Sequence, residues 1–133
     1  MYLLDSNACI RLLNSSSTVL ATRLQQHSPN ALFLCAVVKA ELLYGAYHST
    51  QVASNLRLLH RFFEPFVSLP FDDSCVEQYG RIRSDLARAG TPIGPYDLMI
   101  AATAVTHNLI LVTHNTREFS RVVGLRLEDW EAG

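Results

Sequence analysis

Leu109-Ile110-Leu111-Val112-Thr113 decides the architecture, because four large aliphatic residues run on with no polar residue alternating between them. A strand with one wet face alternates apolar and polar side chains, whereas a strand covered on both faces is apolar throughout. The same unbroken character marks Met1–Leu4 and Ala31–Cys35, while Phe66–Leu69, bounded by Pro65 and Pro70, reads as a further short strand and Leu125–Leu127 as a short edge strand. Helical patterns lie between them. Val37–His48 carries Ala40, Leu43 and Ala46 on one side, and Val52–Phe63 carries Leu56, Leu59 and Phe63. Asp73–Ala89 is closed by Gly90, and Pro95–His107 is opened by Gly94-Pro95, a placement where the missing proline N–H costs nothing. Buried strands separated by helices predict a three-layer α/β fold with a central, mostly parallel sheet of four to five strands. In such sheets the site lies beyond the carboxyl ends of the strands.

The 133 residues suit a single domain, expected to span 1–133. Hydrophobic residues make up 49% and charged residues 17%, which excludes a disordered or low-complexity chain. With a net charge of −1 the molecule exerts no general pull on a polyanion, so any such binding needs a local patch. Ten Arg stand against one Lys, Lys39. Arginine forks suit phosphates and carboxylates, and codon bias alone would produce the same count. Cys9, Cys35 and Cys75 form no CxxC pair and leave an odd one over. With no secretory leader and no long apolar run, the expectation is a reduced, cytoplasmic protein with no membrane partner.

Three acids stand where the site should be. Asp5 follows the first strand, and it also suits a helix N-cap. Glu41 lies in a segment apolar nearly all round, either on a narrow wet stripe with Lys39 or pointing inward toward a cation or strong donors. Asp97 falls in the first turn of its helix, where an acid also complements the helix dipole. After the strand at 109–113, the polar lip Thr113-His114-Asn115-Thr116-Arg117-Glu118-Phe119 reads as a turn-like loop offering a hydroxyl, an imidazole, an amide and Glu118. Dispersed oxygen ligands suit Mg²⁺ or Mn²⁺, whereas zinc would want closely spaced Cys and His.

Taken in order, Leu3-Leu4-Asp5-Ser6-Asn7, Val38-Lys39-Ala40-Glu41-Leu42-Leu43-Tyr44-Gly45, the run Gly90 to Ala102, Val112 to Phe119 and Val123 to Trp130 resemble PIN-domain ribonucleases. The closer resemblance is to VapC toxins of type II toxin–antitoxin pairs, and it covers essentially the whole chain. It implies a metal-dependent endoribonuclease, a homodimer, and a VapB-like antitoxin joined with it in a hetero-oligomer. Asp5, Glu41 and Asp97 match the family's metal-binding and catalytic acids, and Asn7 and Thr113 match its supporting polar residues. Asn115 stands where many PIN nucleases have a fourth acid, and VapC-like members often have Asn there. His114 departs from the pattern. It reads as an exposed loop residue, with a proton shuttle as the alternative. Ala36 stands where a capping Ser is more usual.

The implied chemistry is hydrolysis of an RNA phosphodiester in tRNA or rRNA by water activated on Mg²⁺, for which Mn²⁺ should substitute. Arg81, Arg88 and Arg117 are candidates for RNA backbone contacts, and Arg83 lies round the helix from the first two. A phosphoryl-accepting receiver domain would need a late lysine, and the chain has none. A housekeeping RNA-processing nuclease and a non-catalytic PIN module are the remaining alternatives. A neighbouring antitoxin gene would distinguish the first of these, and RNA cleavage against an EDTA control the second.

Overall fold

The computed structural model describes residues 1–132. Strands β1 (Tyr2–Leu4), β2 (Leu32–Cys35), β3 (Val67–Leu69), β4 (Ile110–Val112) and β5 (Arg126–Glu128) form one sheet in the order β3-β2-β1-β4-β5, every pairing parallel. Helices α1 (Ser6–Leu13), α2 (Thr18–Gln25), α3 (Ala36–Tyr47), α4 (Val52–Phe63), α5 (Asp73–Ala89), α6 (Pro95–Thr106) and α7 (Thr116–Phe119) connect them, with a single 3₁₀ turn at Pro29–Ala31. The unbroken apolar runs are the inner strands. Leu3, Leu4, Leu34 and Leu111 are fully buried, as two covered faces require. The polar edges belong to β3 and β5, whose residues are exposed or half-buried.

Two elements escaped the sequence. The segment Ser15-Ser16-Ser17-Thr18 resembles a loop, yet Ser17 caps α2 by accepting the Leu20 N–H at 3.2 Å, and Leu20 anchors the helix in the core. The polar composition of the lip after β4 predicts a turn-like loop. The lip instead winds into the four-residue α7, held by Phe119, which is buried against the core. Gly90 ends α5 as expected, in the left-handed region at φ 71°, which an L side chain adopts only under strain.

Strand order reverses at β1, which has β2 on one side and β4 on the other. Such a switch point opens a crevice at the carboxyl ends of the two strands. The register pairs Leu4 with Val112, so Asp5 and Thr113 leave adjacent strands side by side, and the Asp5 N–H donates to the Val112 carbonyl at 3.2 Å. The chain's last described turn closes the far side. Trp130 is buried, stacks on His27 at 4.8 Å and meets Tyr2 edge-on at 5.0 Å. Among the described residues, no helix is long and apolar enough to cross a membrane.

Candidate active site

Asp5 is the fixed point of the crevice. It is 4% exposed, and its carboxylate accepts the Ala8 N–H at 2.9 Å, capping α1. It also takes a hydrogen bond from the Thr113 hydroxyl, whose oxygen in turn accepts the Asn115 N–H at 2.9 Å. Capping and site lining are thus one arrangement: the cap locks the rotamer that faces the crevice. Burial raises the Asp5 carboxyl pKa above its ordinary value. The Thr113 and Ala8 hydrogen bonds oppose that rise, and the charges of Glu131 and Glu41 add to it.

Glu41 is half-buried on α3 and accepts the Ser6 hydroxyl at 2.7 Å, which links α3 to α1. Of the two arrangements open to it, the inward one with a strong donor holds. Lys39 goes elsewhere, donating to Ser68 at 2.8 Å and lying over the Phe63 ring. Asp97 sits half-buried in the first turn of α6, its carboxyl pushed up to about 6. Burial is the main cause, followed by the negative charges of Asp5, Glu118 and Glu41. Every charge acting on it is negative.

The structure therefore brings Asp5, Glu41 and Asp97 into one electrostatic neighbourhood from three distant segments. It adds two acids outside the expected set. Glu118 is carried on α7, and Glu131 is tied to Arg11 at 3.3 Å. Glu118 was visible in the lip after β4, but the helical turn that aims it was not. Glu131 carried no signal, because its position depends on the buried Trp130 beside it and on the distant Arg11. The one trio among the described residues that brings ligand atoms within 4.8 Å of one another is His114, Asp129 and Glu131. Asp5, Glu41 and Asp97 are spaced more widely. That spacing suits an ion which keeps several waters and takes only one or two carboxylates directly. The donor set of Asp5, Glu41 and Asp97 is all oxygen, with no basic side chain paired to it among the described residues, and it fits a hard divalent cation.

The remaining expected residues are placed less centrally. Asn7 is exposed in the first turn of α1, and Asn115 meets Thr113 through its backbone. His114 is exposed, with Nδ1 at 2.9 Å from Asp129. Arg81 is engaged on its own helix, donating to Gln78 and pairing with Asp85 at 3.3 Å. Arg88 and Arg117 are exposed.

Comparison with known proteins agrees with this geometry. The PIN domain family model matches residues 2–125. The tRNA(fMet)-specific endonuclease VapC of Shigella flexneri is 39% identical over 129 residues, 97% of each chain. The DNA-bound VapBC structure from Salmonella typhimurium superposes with a TM-score of 0.92 at 36% identity, covering 97% of both chains. VapBC2 of Rickettsia felis, bound to a promoter DNA fragment, gives 0.91 at 33% identity over 97% of this chain and 98% of that one. With the family model spanning most of the chain and relatives named VapC at 33–39% identity over nearly its whole length, the protein belongs to the PIN-domain family, among its VapC ribonucleases.

Proposed function

We propose that the chain is the single-domain toxin of a type II toxin–antitoxin pair. In this reading it is a Mg²⁺-dependent endoribonuclease of tRNA, working in the cytoplasm as a homodimer and held inactive by a VapB-like antitoxin. The observation that carries the reading is Asp97, a half-buried acid whose charged neighbours are all negative. Such a group awaits a cation. The names of the relatives, two of them specific for tRNA(fMet), support RNA and favour tRNA over rRNA.

PIN nucleases depend on divalent metal, and Asp5, Glu41 and Asp97 would hold it here. The ion would supply Lewis acidity, making water a nucleophile near neutral pH and offsetting charge on the phosphoryl oxygens. The chain's own residues do the positioning. Thr113 and the Ala8 N–H hold Asp5 rigid, so its orientation needs no adjustment when substrate arrives. Ser6 occupies one oxygen of Glu41 and leaves the other free to accept a hydrogen bond from the attacking water. Asn7 and Asn115 flank this set, and Arg88 and Arg117 would contact RNA phosphates. Arg81 can do so only by leaving Asp85. Attack at phosphorus with departure of the 3′ oxygen gives 5′-phosphate and 3′-hydroxyl ends.

Single-turnover cleavage of tRNA in Mg²⁺, with EDTA as control and the ends mapped, tests the reading. Cleavage abolished by EDTA is expected, and intact RNA at micromolar protein would instead favour a binding module.

The antitoxin would fit a cleft of about 260 Å³ between α1, α3 and α4, lined by Ile10, Leu13, Leu42, Leu58 and Leu59 and ending at Glu41. Leu42 and Leu59 are its buried floor, whereas Ile10 and Leu58 are 42% and 49% exposed on its rim. Changing the floor would damage the core, so the informative variant is Leu58→Asp. It should keep the fold and weaken capture of the co-expressed antitoxin roughly 10-fold or more, because binding would have to desolvate an unpaired carboxylate in an apolar cleft. Undiminished co-purification would move the interface elsewhere.

A further inference from the structure

On the other side of Glu41 from the antitoxin cleft lies a second cavity, of about 540 Å³, between α3 and α6. Val37, Ala40 and Met99 make it apolar, Glu41 is its one charged wall, and Tyr44 and Tyr96 complete the lining. Both tyrosines are large aromatics left in water, Tyr44 68% exposed and Tyr96 58%. Their places in the chain tie them to the acids. Tyr44 is one helical turn beyond Glu41, and Tyr96 immediately precedes Asp97. The Tyr44 ring is stacked on His48 at 5.5 Å and 10°, which backs one of its faces.

We propose that this cavity is a nucleobase subsite, in which Tyr44 and Tyr96 stack an unpaired RNA base next to the phosphate that the acids address. This rests on the ribonuclease reading above and deepens it. Two observations choose a base over a protein surface. Glu41 lines both the cavity and the acid site, so a strand whose phosphate sits at the acids carries a neighbouring base to the tyrosines. Finally, the volume lies in the range of small-ligand pockets, and its walls offer stacking surface with almost no hydrogen-bonding edge. Recognition by stacking tolerates any base but requires it to be unpaired, which selects loops over helical RNA.

The test uses the full-length protein and a short single-stranded RNA whose cut site is first mapped with the wild type. The same RNA is then made with an abasic nucleotide beside the cut. Single-turnover rates against protein concentration separate the maximal rate from half-saturation. Stacking on an aromatic is worth roughly 1–3 kcal/mol per base, or about 5- to 150-fold in binding. Tyr44→Ala and Tyr96→Ala should therefore raise half-saturation about tenfold with little change in the maximal rate, and Tyr44→Phe and Tyr96→Phe should restore it. The abasic RNA should cost the wild type a similar factor and cost the double alanine variant nothing more. Unchanged half-saturation in the alanine variants, or an abasic penalty that persists in the double variant, would overturn the subsite. So would alanine variants that sediment as a smaller species, with the loss tracking dissociation, since a second copy would then be the occupant. If the wild type leaves the intact RNA uncut, the nuclease reading falls and the subsite with it. If it cuts and the tyrosines do not matter, the subsite alone falls.

Discussion

Asp97→Asn is expected to lose RNA cleavage by more than about 100-fold while gaining stability in the absence of metal. The first effect follows from position. Loss of an outer partner of a metal ligand commonly costs roughly 10- to 100-fold, and Asp97 is proposed as a ligand itself. The second follows from its raised pKa of about 6 against the ordinary 3.8. Between those values the folded protein keeps a proton that the unfolded chain has released, so stability falls as pH rises through that window. The full value of the displacement is about 3 kcal/mol, and solvent screening at a half-buried carboxyl cuts it to about 1–2 kcal/mol. The neutral amide carries no such penalty. At pH 7 without metal the variant should therefore melt a few degrees above wild type, and near pH 4 the two should converge. A variant that cleaves normally, or that melts lower than wild type at pH 7, would return Asp97 to the role of a helix-dipole partner.

Added metal should produce the second large effect. An ion that binds the folded state alone at about 100 times its dissociation constant contributes roughly 2.7 kcal/mol. For a chain of this size that corresponds to roughly 8–13 °C in melting temperature. Because the ion competes with the proton on Asp97, and with the proton favoured on Asp5 by burial, the shift should be full at pH 7.5 and much smaller at pH 5. Mn²⁺ should equal or exceed Mg²⁺. Asp97→Asn should lose most of the response. Melting curves in Mg²⁺, Mn²⁺ and EDTA at the two pH values check all of this. An equal response in wild type and variant would mean that these acids share no ion.

The contrast between what was legible and what was not has a physical basis. The inner strands β1, β2 and β4 announced themselves because burial on both faces forces an unbroken apolar run, and Asp5 and Thr113 were then located by where those runs stop. Asp97 was legible through Gly94-Pro95, which marks the start of α6. Glu41 was ambiguous, because its segment is apolar all round and only the partner on α1, Ser6, shows which way it faces. Glu118 and Glu131 depended on long-range packing. One is aimed by a four-residue helix pinned by Phe119, the other by a tryptophan stacked on His27. Neither constraint leaves a periodic trace in the neighbouring sequence. The arginines show the opposite limit. Helical spacing grouped Arg81 with Arg88, but only side-chain geometry reveals that Arg81 is already taken by Gln78 and Asp85.

The placement of β1 at the centre of the sheet has a consequence for how the molecule comes into being. Asp5 is synthesised first, yet its hydroxyl partner, Thr113, and its acidic neighbour, Asp97, lie in the last third of the chain. A nascent polypeptide can fold its early segments as they emerge, and here those segments supply β1, β2 and α3. They cannot supply the crevice, because its second wall is β4. Until that strand has left the ribosome, Asp5 and Glu41 face no Asp97, and the half-made chain has no complete pocket with which to cut RNA. The order of strands in space, read against their order in time, delays the chemistry until translation of most of the sequence is over.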